Sequence, residues 1–280
     1  MDENKGVPMA QANNTEAGQW FKKQVEGTEL DLSVVEMYQR KVGRPFSGVM
    51  GDGEIHAALK SGQVVIDPFD PDLLQSSSYD VRLGGWFYTA ERLGHRVDFS
   101  PYAESEVQEY YSGPYRAITH KQWCDDHQRQ PFKGIGESEL IIVLAPGECI
   151  LGHTVEYIGA AYGATTMMKA RSSLGRINIS TCDDAGWGDV GYINRWTMEI
   201  RNKNQDVWVP LVVGMPIGQL IFLWVAGSTK DYSSGGHYQV GGSVKALKRA
   251  WKPESMLPRI WSPKNSEIRS RLLKSSKQVF

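Results

Sequence analysis

The residues able to do chemistry concentrate between positions 169 and 242 of this 280-residue chain. Lys169-Ala-Arg-Ser-Ser-Leu-Gly-Arg176 sets two guanidiniums around two hydroxyls. Guanidinium forks and Ser hydroxyls suit phosphate oxygens, although the same pattern also makes an ordinary polar turn. Asp189-Val-Gly-Tyr192 follows, and Glu199 stands seven residues beyond Tyr192 within Trp196-Thr-Met-Glu-Ile-Arg201. That stretch alternates as a strand does, so Glu199 shares a face with Thr197 and Arg201. A carboxylate partly buried there can act as a general base, or it can pair with Arg201 on an exposed strand. Gly214-Met-Pro-Ile-Gly-Gln-Leu-Ile-Phe222 puts Gln219 in an apolar run, where its amide needs partners. Gly235-Gly-His-Tyr-Gln-Val-Gly-Gly242 reads either as a flap closing over a ligand or as a flexible linker.

Other chemistries lack their residues. None of the six His residues begins His-x-Glu, and no Cys-x-x-Cys occurs, so the motifs that hold a water-activating zinc are missing. His-Glu-x-x-His and the P-loop are also missing. Magnesium held by carboxylates stays open.

The elements that must position these residues read as mainly β. Short helices are expected at Leu30 to Lys41 and at Gly53 to Ser61, the second stopped by Gly62 and followed by a strand at Val64-Val65-Ile66. Strands follow at Tyr79 to Leu83, Trp86 to Tyr88, Leu140 to Leu144 and Cys149 to Gly152. Gly and Pro punctuation then recurs at a spacing of about 8–12 residues, as in a sandwich or barrel. Residues 98–137 are polar, aromatic-rich and acidic, and read as an irregular insertion.

Composition bounds the function. Lys+Arg of 31 against Asp+Glu of 32 gives a net charge of −1, which argues against a nucleic-acid binder. The charge is uneven: residues 246–280 carry +7, leaving −8 on the rest, and read as a solvated basic tail. Three widely spaced cysteines exclude a disulfide framework and fit a reducing compartment. Residues 1–25 hold no apolar run of the kind a secretory signal needs. The most apolar stretch, Leu211 to Gly227, is too short and too interrupted to span a bilayer. The expectation is a cytoplasmic protein without membrane contact.

In order, these segments resemble the dCTP deaminase branch of the dUTPase superfamily. Gly53-Glu-Ile-His-Ala-Ala-Leu-Lys-Ser-Gly-Gln-Val-Val-Ile-Asp-Pro-Phe-Asp70 and Leu74-Gln-Ser-Ser-Ser-Tyr-Asp-Val-Arg-Leu-Gly84 resemble that family's opening. Ala145-Pro-Gly-Glu148, Arg171 to Arg176, Asp189 to Tyr192, Thr197 to Glu199 and Gly214 to Phe222 follow with family-like spacing. The resemblance implies a distorted jelly-roll β-barrel of the dUTPase type, with a few short helices, assembled as a homotrimer with shared active sites. It divides the chain into an N-terminal extension (1–49), a β domain (50–242, with the 98–137 insertion) and a basic tail (243–280).

The resemblance also implies roles. Glu199 would take a proton from water and deliver protons to cytosine, without zinc. Arg176, Ser172 and the Ala185 carbonyl would position that water. Arg171, Ser172 and Ser173 would hold the triphosphate, with Mg²⁺ arriving on it. Asp189 would accept from the sugar 3′-hydroxyl and Tyr192 would pack on deoxyribose. Backbone groups of Thr197, Met198 and Glu199 would read the base, and Gln219, Tyr232, His237, Tyr238 and Gln239 complete the expected substrate site. A dUTPase resembles this chain at Arg-Ser-Ser and Asp-x-Gly-Tyr but lacks the Glu199 carboxylate. The implied reaction is therefore deamination of dCTP to dUTP and ammonia. Its alternatives are a dUTPase, a bifunctional enzyme giving dUMP, or a non-catalytic nucleotide sensor. The chain departs from the family at Ile193-Asn194, at Cys182-Asp-Asp-Ala-Gly-Trp187, at His237 in place of a phosphate-binding Lys, and at Gly241 in place of a ligand-contacting Gln.

Overall fold

The computed structural model describes residues 48–90, 98–161, 163–183, 185–225, 228, 232 and 243–275. The helix expected at Leu30 to Lys41 and the flap residues His237, Tyr238 and Gln239 lie outside them. Strand β1 (Gly48–Val49) leads to helix α1 (Asp52–Ser61), which buries Ile55, Ala58 and Leu59. Glu54 reaches back to the Gly51 N–H at 3.2 Å, and Gly62 ends the helix at φ 76°, a left-handed cap that favours glycine. Strands β2 (Val64–Asp67), β3 (Leu74–Gln75), β4 (Ser78–Arg82) and β5 (Trp86–Ala90) follow.

The 98–137 segment is not irregular. It contains α2 (Glu104–Tyr110), β6 (Tyr111–Arg116), β7 (Ile118–Thr119) and α3 (His120–His127). Pairing supplies the order that its polar composition concealed: β6 adds to β5, and β7 adds to β8 (Leu140–Leu144). Beyond it come β9 (Cys149–Ala160), β10 (Ala164–Ala170), α4 (Ser172–Arg176), β11 (Ile179–Thr181), β12 (Trp187–Gly188) and β13 (Ile193–Asn202). The family-like region ends with β14 (Val209–Val212) and β15 (Pro216–Trp224).

The strands form antiparallel sheets rather than a closed barrel. One runs β12-β10-β15-β4-β3 with β1 on β15, a second runs β11-β13-β9-β5-β6 with β2 on β9, and a third runs β14-β8-β7. Tyr79, Val81, Ile158, Met198, Ile200, Leu220 and Phe222 belong to the core cluster between the two larger sheets. Alternation along β13 sends Trp196, Met198, Ile200 and Asn202 inward and leaves Arg195, Thr197, Glu199 and Arg201 on the other face.

The first part of the tail expected to be solvated packs on that other face, while residues 263–271 are exposed as expected. The tail forms α5 (Val244–Ala250), a 3₁₀ turn (Pro253–Met256) and α6 (Pro263–Ser275). Leu247 packs with Val65, Tyr157 and Ile193, while Met256 packs with Tyr88 and Leu151. Lys248 pairs with Asp67 at 2.6 Å. A short apolar stripe within the basic sequence thus finds apolar partners on the sheet. Among the described residues no helix is long and apolar enough to cross a membrane, and all three cysteines are free.

One irregularity organises the second sheet. Arg195 opposes Tyr157, yet Thr197 opposes His153, so β9 carries extra residues at a bulge. The buried Thr154 hydroxyl fills the gap, accepting from Trp196 N–H at 2.9 Å and donating to the Glu156 carbonyl at 2.7 Å. Glu156, fully buried, is turned toward the first sheet. It accepts from Arg82 Nε at 2.6 Å and from the Arg82 backbone N–H at 3.0 Å. Burial pushes the Glu156 carboxyl up, while the Arg82 hydrogen bonds oppose that shift. Thr154→Val keeps the shape but leaves the Trp196 N–H without its acceptor, at a cost of about 1–3 kcal/mol. Urea denaturation of the variant checks this, and a midpoint equal to that of the native chain would show the bulge to be held by other contacts.

Candidate functional site

A cavity of about 370 Å³ opens on the outward face of β13. It brings together Ala185, Asp189, Tyr192, Thr197, Glu199 and Tyr232, six of the residues picked out in the sequence. Strand alternation delivers Thr197 and Glu199, and the turn between β12 and β13 delivers Asp189 and Tyr192. Gly159 permits the close seating of that turn, because a Cβ there would collide with the Tyr192 carbonyl oxygen. Tyr192 meets Trp196 and Tyr232 edge-on, each at 5.2 Å between ring centres. Tyr232 is tied to the same turn through its N–H, which donates to the Val190 carbonyl at 2.7 Å.

Glu199 occupies the boundary between this cavity and a second one lined by Tyr111, Cys149, Asp183 and Arg201. Among the described residues no ion pair joins it to Arg201. Burial pushes its carboxyl above the ordinary value of 4.5, and the Asp183 carboxylate adds to that shift. Its neighbours are raised for the same reason. Burial takes the Cys182 thiol up to about 12, with Glu199 contributing, and takes the Tyr111 phenol up to about 12. Both stay protonated at neutral pH, and Cys182 Sγ donates to the Thr197 carbonyl at 3.6 Å. The site can therefore keep a carboxyl poised to exchange a proton in a partly dry pocket.

The phosphate-suited residues lie elsewhere in the chain. Ser172, Ser173 and Arg176 stand on α4 and Arg171 caps it, outside the cavity. Arg171 pairs with Asp80 at 3.4 Å, and burial of Asp80 raises its carboxyl against the pull of that guanidinium. Gln219 lies in β15 opposite Asp80 and Lys169, away from Glu199. The Met198 side chain points into the core with no exposure, so only its backbone is available to a ligand. Among the described residues no group of three or more His, Cys, Asp or Glu side chains is placed to hold a metal ion.

The cavity also holds residues that the sequence reading passed over: Tyr111 from β6, Leu151 from β9, Arg195 from β13, and Trp251, Ser255, Met256 and Pro258 from the C-terminal segment. Only the aromatic richness of residues 98–137 and the scattered apolar residues of the tail hinted at them. His153 supports this wall. Its Nδ1 donates to the Thr154 carbonyl at 2.8 Å and its Nε2 accepts from the Trp86 N–H at 3.2 Å, which assigns the neutral tautomer. Burial lowers its pKa to about 4, with Arg195 contributing. Trp251 packs on its ring at 4.7 Å.

Comparison with known proteins agrees with the motifs. The sequence profile described as dCTP deaminase-like matches residues 49–224. A protein of Acidothermus cellulolyticus named "dCTP deaminase, dUMP-forming" is 32% identical over 208 residues, covering 73% of this chain and 96% of that protein. A protein of the same name from Tropheryma whipplei is 32% identical over 183 residues, covering 65% of this chain and 81% of its own. The solved structure of the 2′-deoxycytidine 5′-triphosphate deaminase of Agrobacterium tumefaciens aligns with a TM-score of 0.45 at 18% identity, over 64% of this chain and 49% of that one. With the profile spanning more than half of its length and a relative matched almost end to end, this chain belongs to the dCTP deaminase-like family.

Proposed function

We propose that the chain hydrolyses deoxycytidine triphosphate, removing the 4-amino group and releasing dUMP. The observation that carries the reading is the Glu199 carboxyl, raised by burial and sharing its cavity with Ala185, Asp189 and Tyr192. Ionised Glu199 takes a proton from a water that attacks cytosine C4. It returns the proton to the ring nitrogen, and the amino group leaves as ammonia after a further proton transfer. The Ala185 carbonyl and the backbone from Thr197 to Glu199 orient water and base. Tyr192 carries the sugar.

The dUTP end product expected from the motifs gives way here to dUMP, since the two relatives described above bear a dUMP-forming name. Asp189 in the same cavity supports the second step. It activates a water that attacks the α-phosphorus, and pyrophosphate leaves. Mg²⁺ accompanies the triphosphate as part of the substrate, and zinc has no role. Because Arg171, Ser172, Ser173 and Arg176 lie outside the cavity of their own chain, a neighbouring copy supplies them to it in a homotrimer.

Glu199→Gln should lower ammonia release from dCTP by roughly 10²–10⁴-fold. In the native enzyme the acidic limb of the pH–rate profile should lie above 4.5, because burial raises this acid. The folded chain then holds the Glu199 proton to higher pH than the unfolded chain. That contribution to stability is present at low pH and is lost as pH rises through the folded pKa. Melting temperatures should therefore show Glu199→Gln gaining on the native chain as pH rises above 4.5. Full ammonia release from the variant would defeat the mechanism, and nucleotide binding without turnover in the native chain would favour a sensor.

Asp189→Asn separates the two steps. Chromatography of the products should show ammonia release retained relative to pyrophosphate release, and dUTP accumulating in place of dUMP. If native enzyme yields dUTP alone, the second step does not occur.

A further inference from the structure

Arg195 is the positive charge among the described residues lining the cavity, where Asp189 and Glu199 supply the carboxylates. It stands on the same outward face of β13 as Thr197 and Glu199. Its guanidinium carbon lies 5.1 Å from the Tyr157 ring centre and 4.7 Å from that of Trp251. Tyr157 is on the facing strand, whereas Trp251 lies beyond the family-matched residues 49–224. Among the described residues no carboxylate pairs with Arg195, and its buried Nε has no hydrogen-bond partner.

Two other guanidiniums of the fold are quenched, Arg82 by Glu156 and Arg171 by Asp80. A charge withdrawn from water without a counter-ion is costly. Aromatic faces offset part of that cost through their quadrupoles, and they leave the in-plane N–H donors unspent. Arg195 is thus held by its faces with its edge available, and a guanidinium edge matches two phosphate oxygens. Along a strand, four residues span about 13 Å. The cavity that would take a base at Glu199 and a sugar at Tyr192 therefore carries Arg195 in the same wall.

We infer that Arg195 is a phosphate-binding residue of this site, and that Trp251 of the C-terminal segment is the positioning residue that holds its guanidinium in plane. The inference rests on the nucleotide reading above. It supplies a phosphate contact from within one chain.

Calorimetric titration of the full chain with dCTP, deoxycytidine and inorganic tripolyphosphate tests it. Arg195→Met, which keeps an apolar body between the rings, should weaken dCTP by at least about tenfold and abolish tripolyphosphate binding, with deoxycytidine changed by less than about twofold. Arg195→Lys keeps the charge but loses the fork, so it should fall between, and it carries the test if the Met variant does not fold. Trp251→Ala should weaken tripolyphosphate binding as Arg195→Lys does, and Trp251→Phe should restore it. Equal losses for dCTP and deoxycytidine, or unchanged dCTP binding in Arg195→Met, would overturn the inference while leaving the deaminase reading intact. Native protein that binds tripolyphosphate through Arg195 but no pyrimidine nucleotide would sink the deaminase reading and keep the phosphate site. Native protein that binds neither would remove both.

Discussion

Everything at the site hangs on the pairing of β9 with β13 and on the bulge within it. From Arg201 to Thr197 the ladder is regular, and it fixes Glu199 opposite Leu151. Past the bulge the pairing resumes at Arg195 opposite Tyr157. Because strand side chains alternate with a period of two, a one-residue slip would exchange the outward Glu199 for the inward Met198. The Thr154 hydroxyl makes such a slip expensive by satisfying two backbone groups at the irregular point. The same bulge turns Glu156 toward Arg82, so the register of β13 and the joint between the two larger sheets are one constraint.

The second constraint is desolvation. One face of β13 is sealed by the core, and the other would be open if the sheet ended there. The C-terminal segment covers it, with Trp251 on His153 and Met256 on Leu151 and Tyr88. The β6 strand adds Tyr111 from the opposite side. Burial raises Glu199 and Tyr111 beside the cavity and lowers His153 behind its wall. A carboxyl on a bare sheet would titrate near its ordinary value and would have little hold on its proton at the working pH of a hydrolase. The C-terminal segment outside the family-like region therefore bears on the Glu199 carboxyl, since it lines the same cavity.

Much of the strand pattern was legible. The runs at Val64, Tyr79, Trp86, Leu140 and Cys149 are strands because β-branched and aromatic residues alternate there between Gly and Pro. Helix α1 was legible from the spacing of Ile55, Ala58 and Leu59 and from Gly62. The order within residues 98–137 was hidden, because β6 and β7 are held by pairing to distant strands and not by their own composition. The folded tail was hidden as well. Its charge dominates its sequence, while its packing depends on single residues such as Leu247 and Met256.

The amino-acid sequence alone offered Glu199, Asp189 and Tyr192 as candidates, through a resemblance carried by the order and spacing of short motifs. It also determined the family, because ordered short motifs survive without tertiary information. Only the tertiary structure decided that Ala185, Tyr111, Arg195 and Trp251 meet around that surface, and that Arg171 to Arg176 lie outside it. Such meetings depend on strand order, on a bulge and on a returning C-terminal segment, all of which join residues far apart in the chain. Local periodicity carries no record of those distances, whereas burial and electrostatics respond to nothing else.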